Sequence, residues 1–348
     1  MRFLLPILAI EGEPIMDNAI KLCHGNGGKD TMQLITDVFY KHFLNPILSQ
    51  GLDAAVLEIG KERIAFTTDT FVVKPIFFPG GDIGKLSVCG TINDLVTVGA
   101  KPLYMSCGII IEEGFDLELL KKITASMAET ASLAGVKIVT GDTKVVEKGA
   151  VDQIFINTSG IGQIQDNYQV KKIHPGDQII VTGTIAEHGT TIAIEQYKLK
   201  VKGNFRSDCT PLYEILKHLE DYMDHIKLMR DPTRGGIATT LNELAVHSGY
   251  GIRLLEKNIP IRKEVAAINE LLGLDPLYIA CEGRMLLVVD KDKSREILHC
   301  IQQVSNCRDA QIIGGFLTDR DPYVYIENSF GGRKIIKSLE GEMIPRIC

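Results

Sequence analysis

The chain has 348 residues, of which 45% are hydrophobic and 24% charged, with a formal net charge of −6. That length exceeds what one core usually serves and predicts two domains, and the acidic balance argues against a nucleic acid or other polyanion as partner. No stretch approaches the ~20 apolar residues of a membrane helix, and the eight cysteines show neither C-x-x-C nor zinc-finger spacing, the pattern of reduced, cytoplasmic thiols.

The opening "MRFLLPILAI" pairs one Arg with a short apolar run, as a signal peptide would. Pro6 interrupts that run, an acidic EGE follows, and no small-residue cleavage site appears. The patterned sequence starts at Met16, so residues 1–15 read as a start-site artefact or a disordered extension. "CHGNGGKD" then sets Gly25, Gly27 and Gly28 beside Lys29, ahead of a helix beginning near Asp30. "LDAAVLE" puts Asp53 at the entrance of an apolar run, and "RIAFTTD" (63–69) reads as a strand ending on Asp69. "FPGGDIGK" offers Gly80 and Gly81 before a helix capped by Asp82, with Lys85 in its first turns. Further along, "GTINDLVTVGA" holds Asn93 and Asp94 in an otherwise apolar helix.

"LYMSCGIII" (103–111) is a strand, and "DLELLKKITASMAETASLAG" is a helix with Leu117, Leu120, Ile123, Met127, Ala131 and Ala134 on its apolar face and Gly135 as its stop. "VKIVTGD" (136–142) and "QIFINTSGIG" (153–162) are strands, the first ending on Asp142 with Lys144 just beyond. The turn His174-Pro175-Gly176-Asp177 marks a break, and Gln178 to Val181 opens a new unit. "RDPTRGG" brings Gly235 and Gly236 to a helix start beside Arg230 and Arg234. That helix runs to about Ser248, with Ile237, Leu241, Leu244 and Ala245 on one face, and strands follow at 285–290, 310–317 and 323–327. From Asn328, paired glycines and mixed charge without a period read as a mobile tail, roughly 60–70 Å long if extended. The organisation expected is therefore α+β in two domains: residues 1–15 an extension, 16–169 and 170–327 the domains, and 328–348 a tail carrying Cys348.

Asp53, Asp69, Asp94 and Asp142 stand at element ends or in apolar surroundings, where a carboxylate is costly unless paired or metal-bound. Each alone reads as a cap or a surface turn. Together they favour a hard-cation site, with Mg2+ the usual ion beside phosphates. The three glycine-rich helix starts can aim amides at an anion. None fits the Walker or the dinucleotide pattern, so the combination points to a non-Walker ATP site. His24 and His188 lack partners at helical spacing and read as hydrogen-bonding groups. Glu282, in "YIACEGRML", is either a partly buried candidate base or the partner of a strand-edge salt bridge to Arg284.

"HGNGG", "FPGGDIGKLSVCGTINDL", "SMAETA", "VTGDTKVV", "FINTSGIG", "RDPTRGG", "LLGLDPL" and the final "PRIC" resemble the HypE family, the carbamoyl dehydratases of NiFe-hydrogenase maturation, from about Met16 to Cys348. That family is similar to aminoimidazole ribonucleotide synthetase, selenophosphate synthetase and thiamine-monophosphate kinase. The resemblance implies a two-domain α+β fold whose N-terminal sheets pair into the β-barrel of a homodimer. It implies ATP and Mg2+ as cofactors and a HypF-type carbamoyl transferase that loads Cys348. The S-carbamoyl group is then dehydrated to a thiocyanate, and the cyanide passes to iron on a HypC–HypD complex. In residue terms it implies Cys348 as covalent carrier and Lys144 and Glu282 as proton acceptors or positioning groups. Gly27, Gly28, Lys29, Asp69, Lys85, Asn93 and Asp142 would bind ATP, and Asp53, Asp69, Asp94 and Asp142 would bind the metal. One departure is Leu52, where relatives often carry the first of two paired acids.

Two other readings compete. One is a superfamily enzyme acting on a free small molecule, to which Cys23 hints as a reactive thiol, although no glycine-rich Cys/Lys loop surrounds it and a packed or loop cysteine is the better account. The other is a carrier module that only presents Cys348, against which the acidic and glycine-rich stretches count because a pure carrier has no use for them.

Overall fold

The computed structural model describes residues 19–165 and 167–341. The first part builds from helix α1 (Lys29–Leu34), strands β1 (Ala55–Ile59) and β2 (Glu62–Phe71), helix α2 (Ile83–Thr97), strand β3 (Ala100–Glu112), helix α3 (Leu117–Leu133), and strands β4 (Lys137–Val146) and β5 (Ile154–Ile164). The five strands form one sheet in the order β1-β2-β5-β3-β4, antiparallel except for the β3–β4 pair. Alternation assigns the faces. In β2, Ala65, Thr67 and Phe71 are buried while Phe66, Thr68 and Thr70 are exposed.

Helices α2 and α3 cover the buried face. Asp82 starts α2 by accepting amide hydrogen bonds from Gly84 (2.7 Å) and Lys85 (3.1 Å), and Asp116 does the same for α3. Gly160 in β5 lets α2 approach, since a Cβ there would lie 2.7 Å from Thr91 Cγ2. The opposite face stays open in this chain, with Phe66, Tyr104, Ile138 and Ile161 exposed and nearly all of β4 exposed.

The second part contains β6 (Gln178–Val181), α4 (Glu187–Gln196), β7 (Ile226–Arg230), α5 (Gly236–Ser248), β8 (Ile252–Leu255), β9 (Leu286–Val289), β10 (Gln311–Phe316), β11 (Val324–Glu327) and β12 (Arg333–Ile336). Its seven-stranded mixed sheet runs β12-β11-β8-β10-β6-β9-β7. The central strands β6 and β9 are almost wholly apolar and buried, as strands covered on both faces must be. Helix α2 is buried on nearly every side because one core continues from the first sheet through it into the second part.

The expected mobile tail from Asn328 is corrected over residues 328–341. β12 pairs antiparallel with β11, Val324 opposite Ile336, and Ile336 is buried. The glycine pair taken as a mark of mobility makes the hairpin turn, where Asn328 Oδ1 accepts from Phe330 N (3.0 Å) and Gly332 N (2.8 Å) and Gly331 adopts φ +82. The expected extension, residues 1–15, and Cys348 lie outside the described residues. Among the described residues no helix is long and apolar enough to cross a membrane.

Candidate functional site

Three of the four acids singled out in the sequence, Asp53, Asp69 and Asp94, act on one another, and a fourth that the sequence reading missed, Asp231, joins them. Asp53 precedes β1, Asp69 stands near the end of β2, Asp94 projects from α2, and Asp231 follows β7 directly. Burial holds the Asp94 carboxyl well above the usual range, and Asp231, Asp69 and Asp53 push it further. Asp231 is raised by burial and then by Asp53. Burial also raises Asp53 and Asp69, opposed by Arg230 and Arg234 respectively.

Few partners satisfy this cluster. Thr67 Oγ1 donates to Asp94 Oδ2 at 2.8 Å. Arg230 is divided, its Nε 2.8 Å from Asp53 Oδ1 and its Nη2 2.9 Å from Glu243 Oε2. Asp53 Oδ2 is buried with no hydrogen-bond donor. More negative than positive charge is therefore packed together, and a small divalent cation fits that imbalance. Among the described residues no three acidic, His or Cys side chains form a ready-made cage. Mg2+ takes one or two carboxylates and completes its shell with phosphates and water.

Asn93 bonds to the backbone of the second part. Its Nδ2 donates to Thr210 O (3.1 Å) and Glu282 O (3.2 Å), and its Oδ1 accepts from Leu212 N (2.9 Å). The amide thereby clamps α2 to two loops of the second part.

Glu282 sits beside this clamp, buried, with its carboxyl held well above the usual range by burial, then by Cys209, Asp231, Asp208 and Asp69. The salt bridge to Arg284 is not formed. Arg284 Nη2 instead lies 3.0 Å from Glu187 Oε2, Arg284 Nε lies 3.7 Å from Asp208 Oδ2, and Arg284 Nε donates to Thr184 O at 2.7 Å. Asp208 Oδ1 in turn accepts from Glu282 N at 3.2 Å.

The three glycine-rich starts differ. At α2 the Asp82 carboxylate already occupies the amides, and Lys85 Nζ turns back to donate to Gly80 O at 2.9 Å. At α5, Gly235 (φ +76) and Gly236 (φ +57) form a turn no side chain caps, beside Arg234. An uncapped N-terminus with an arginine at its edge is the best-prepared phosphate cradle of the three.

Gly27 packs on that turn, for a Cβ there would lie 2.7 Å from Arg234 Cβ. Gly28 and Lys29 meet the chain's own C-terminal segment. Lys29 N donates to Leu339 O (3.0 Å), Lys29 Nζ pairs with Glu340 (3.4 Å), and Gly341 N donates to Asp30 Oδ2 (3.1 Å).

Asp142 and Lys144 are separated from the cluster. They lie on β4, at the sheet edge remote from β2, and bind each other at 2.7 Å. Lys144 holds the Asp142 carboxyl below its usual range. Within this chain they do not join Asp53, Asp69 and Asp94, because two strands intervene and their side chains are solvent-exposed. Both histidines make local bonds. His24 Nδ1 accepts from Lys21 N (3.0 Å), and His188 Nδ1 bonds Ser207 Oγ (2.8 Å). Cys348 lies outside the described residues.

Residues 51–164 match the family "AIR synthase related protein, N-terminal domain", and residues 174–327 match "AIR synthase related protein, C-terminal domain". The carbamoyl dehydratase HypE of Azotobacter vinelandii is 41% identical over 336 residues, covering 96% of this chain and 98% of that protein. Among solved structures, a chain of the HypE–HypF complex superposes with a TM-score of 0.84 at 44% identity, covering 88% of this chain and 99% of that one. HypE in complex with ATP superposes with a TM-score of 0.79 at 41% identity, covering 95% and 100%.

Proposed function

Because the chain belongs to the HypE carbamoyl dehydratase family, we propose that it uses ATP to dehydrate an S-carbamoyl group on Cys348 to a thiocyanate. The observation that carries this reading is the buried group of Asp53, Asp69, Asp94 and Asp231 next to Arg234 and the uncapped start of α5. An amide oxygen leaves poorly, so ATP must first convert it to a phosphate ester, and loss of phosphate with the N–H protons then leaves a nitrile. Mg2+, when bound by one or two of Asp53, Asp69 and Asp94, would clamp the phosphates. Arg234 and the α5 amides bind phosphate oxygens. The raised proton affinity of Glu282 suits a group that takes a proton from the amide nitrogen and keeps it.

The contacts of residues 337–341 bear on delivery. Gly341 is held beside Asp30, and the seven residues from 342 to 348 span at most about 25 Å. While these contacts hold, that bound replaces the roughly 60–70 Å reach of a chain free from Asn328.

The open apolar face of the first sheet supports a homodimer. In that dimer Asp142 and Lys144 of one copy serve the site of the other, which gives an exposed pair remote from its own acids a role. A HypF-type transferase loads Cys348, and a HypC–HypD complex receives the cyanide, all in the cytoplasm.

The test is mass spectrometry of the peptide bearing Cys348 after incubation with the transferase and its substrates. A carbamoyl adduct on Cys348 that loses one water only when Mg-ATP is added is expected. An adduct elsewhere, or water loss without ATP, overturns the mechanism.

A further inference from the structure

Two thiols meet where the two parts of the chain touch. Cys89 lies on α2, fully buried, and Cys209 lies in the loop before Leu212, 2% exposed. Asn93, one helical turn beyond Cys89, bonds Thr210 O and Leu212 N, the residues flanking Cys209 on its C-terminal side. On the other side Cys209 N donates to Ser207 Oγ (3.0 Å), while Ser207 N donates to Pro79 O (2.8 Å) just ahead of α2. The loop is therefore pinned over α2 at two points, with Cys209 between them, and the Cys89 thiol is the neighbour that acts most strongly on the Cys209 thiol. Both are free thiols.

We propose that Cys89 and Cys209 are an oxidation site, a dithiol that peroxide closes into a disulfide stapling the two parts of the chain together beside Glu282. The balance is simple. One thiolate attacks hydrogen peroxide, giving a sulfenic acid and hydroxide. The second thiol displaces that oxygen as water and forms the S–S bond. Two thiols lose two protons and two electrons, and the peroxide becomes two waters.

The neighbouring Cys89 thiol and burial raise the proton affinity of Cys209, so the thiol reacts slowly while the loop stays packed. Reaction requires the loop to lift from α2, after which the partner thiol is already at hand and outcompetes any thiol in solution. The bond forms between α2, which carries Asp94, and the loop that Glu282 N contacts through Asp208, so it fixes the spacing of two groups of the candidate site. This inference concerns the two thiols alone and stands apart from the dehydration reading.

The experiment treats the reduced full-length chain with hydrogen peroxide, alkylates the remaining thiols and maps tryptic peptides. The peptide with Cys89 also contains Cys107, so a Cys107→Ala variant is included. Cross-linking of Cys89 to Cys209 is expected in wild type and in Cys107→Ala, and not in Cys89→Ala or Cys209→Ser. The oxidised wild type should melt about 5 °C higher, because the bond closes a long loop in the unfolded chain. Dithiothreitol should reverse the shift. Alkylation of both thiols after peroxide, a link from Cys209 to Cys107, or a melting shift that persists in Cys89→Ala would each overturn the proposal.

Discussion

Replacing Arg230 by Met tests whether the acids are packed as tightly as their contacts say. The substitution keeps the apolar stem and removes the guanidinium that stands 2.8 Å from Asp53 and 2.9 Å from Glu243. Breaking a buried pair from one side costs about 3–5 kcal/mol, because the other charge stays buried. The Asp53 side chain is 12% exposed and bears that penalty almost fully, whereas Glu243 at 33% keeps part of its hydration. The lower figure, about 3 kcal/mol, is the one to expect.

The sign of the pH dependence follows from burial, which already raises both carboxyls while Arg230 opposes the rise. Without Arg230 their folded-state proton affinity climbs further. Folding then favours the protonated forms, so the deficit is full above the folded pKa values and shrinks as pH falls towards the unfolded value near 4. Urea unfolding of wild type and variant at pH 8 and at pH 5 measures this. A deficit under about 1 kcal/mol, below the range for a buried pair, or one equal at both pH values, would refute the reasoning.

Three further outcomes are expected. Asn93→Leu removes all three clamp bonds and should lower stability by about 2–4 kcal/mol, with faster amide exchange at Leu212; an unchanged urea midpoint would show that the clamp contributes nothing. Glu282→Gln should slow dehydration by about 10²- to 10⁴-fold in single-turnover mass spectrometry without lowering the urea midpoint at pH 8, since the charged carboxyl it replaces is the disfavoured form in the fold. A large loss of stability would instead make Glu282 structural. Gly28→Ala places a Cβ 2.3 Å from Leu339 O and should break the bond from Lys29 N. Losing about 1 kcal/mol there should speed trypsin cleavage at Lys337 about five-fold, and an unchanged rate would mean the segment is held by other contacts.

The elements that were legible carried strong local signals. Asp116 and Gly135 bracket α3, Asp82 caps α2, and β-branched runs mark β2 and β5. Asp53, Asp69 and Asp94 stood out because carboxylates in apolar surroundings need a reason. Asp231 escaped because it sits inside "RDPTRGG", where the arginines and glycines gave a sufficient account of the stretch. Asn93 was noticed but its backbone bonds were not foreseen, since a polar residue in an apolar helix looks the same whether it clamps backbone or binds a ligand. Asp142 resembled Asp69, each ending a strand-like run. Only the strand order β1-β2-β5-β3-β4, set by pairings distant in sequence, puts them at different places. The β11–β12 hairpin has four-residue strands, too short for a periodic signal, and its glycines served equally well as evidence of a loose end.

On the proposal that Cys348 carries the carbamoyl group, the anchoring of Leu339 to Gly341 on the first glycine loop has a consequence for how often that thiol meets the site. A thiol restricted to within about 25 Å of Gly341 is present there at an effective concentration on the order of tens of millimolar. No dissolved carbamoyl compound needs to be that abundant for turnover to be brisk. The same restriction acts outward. While those contacts hold, a protein that modifies or relieves Cys348 has to bring its own reactive groups to the rim beside Asp30, so docking geometry at that rim, more than affinity for the peptide, decides which proteins exchange cargo with this one.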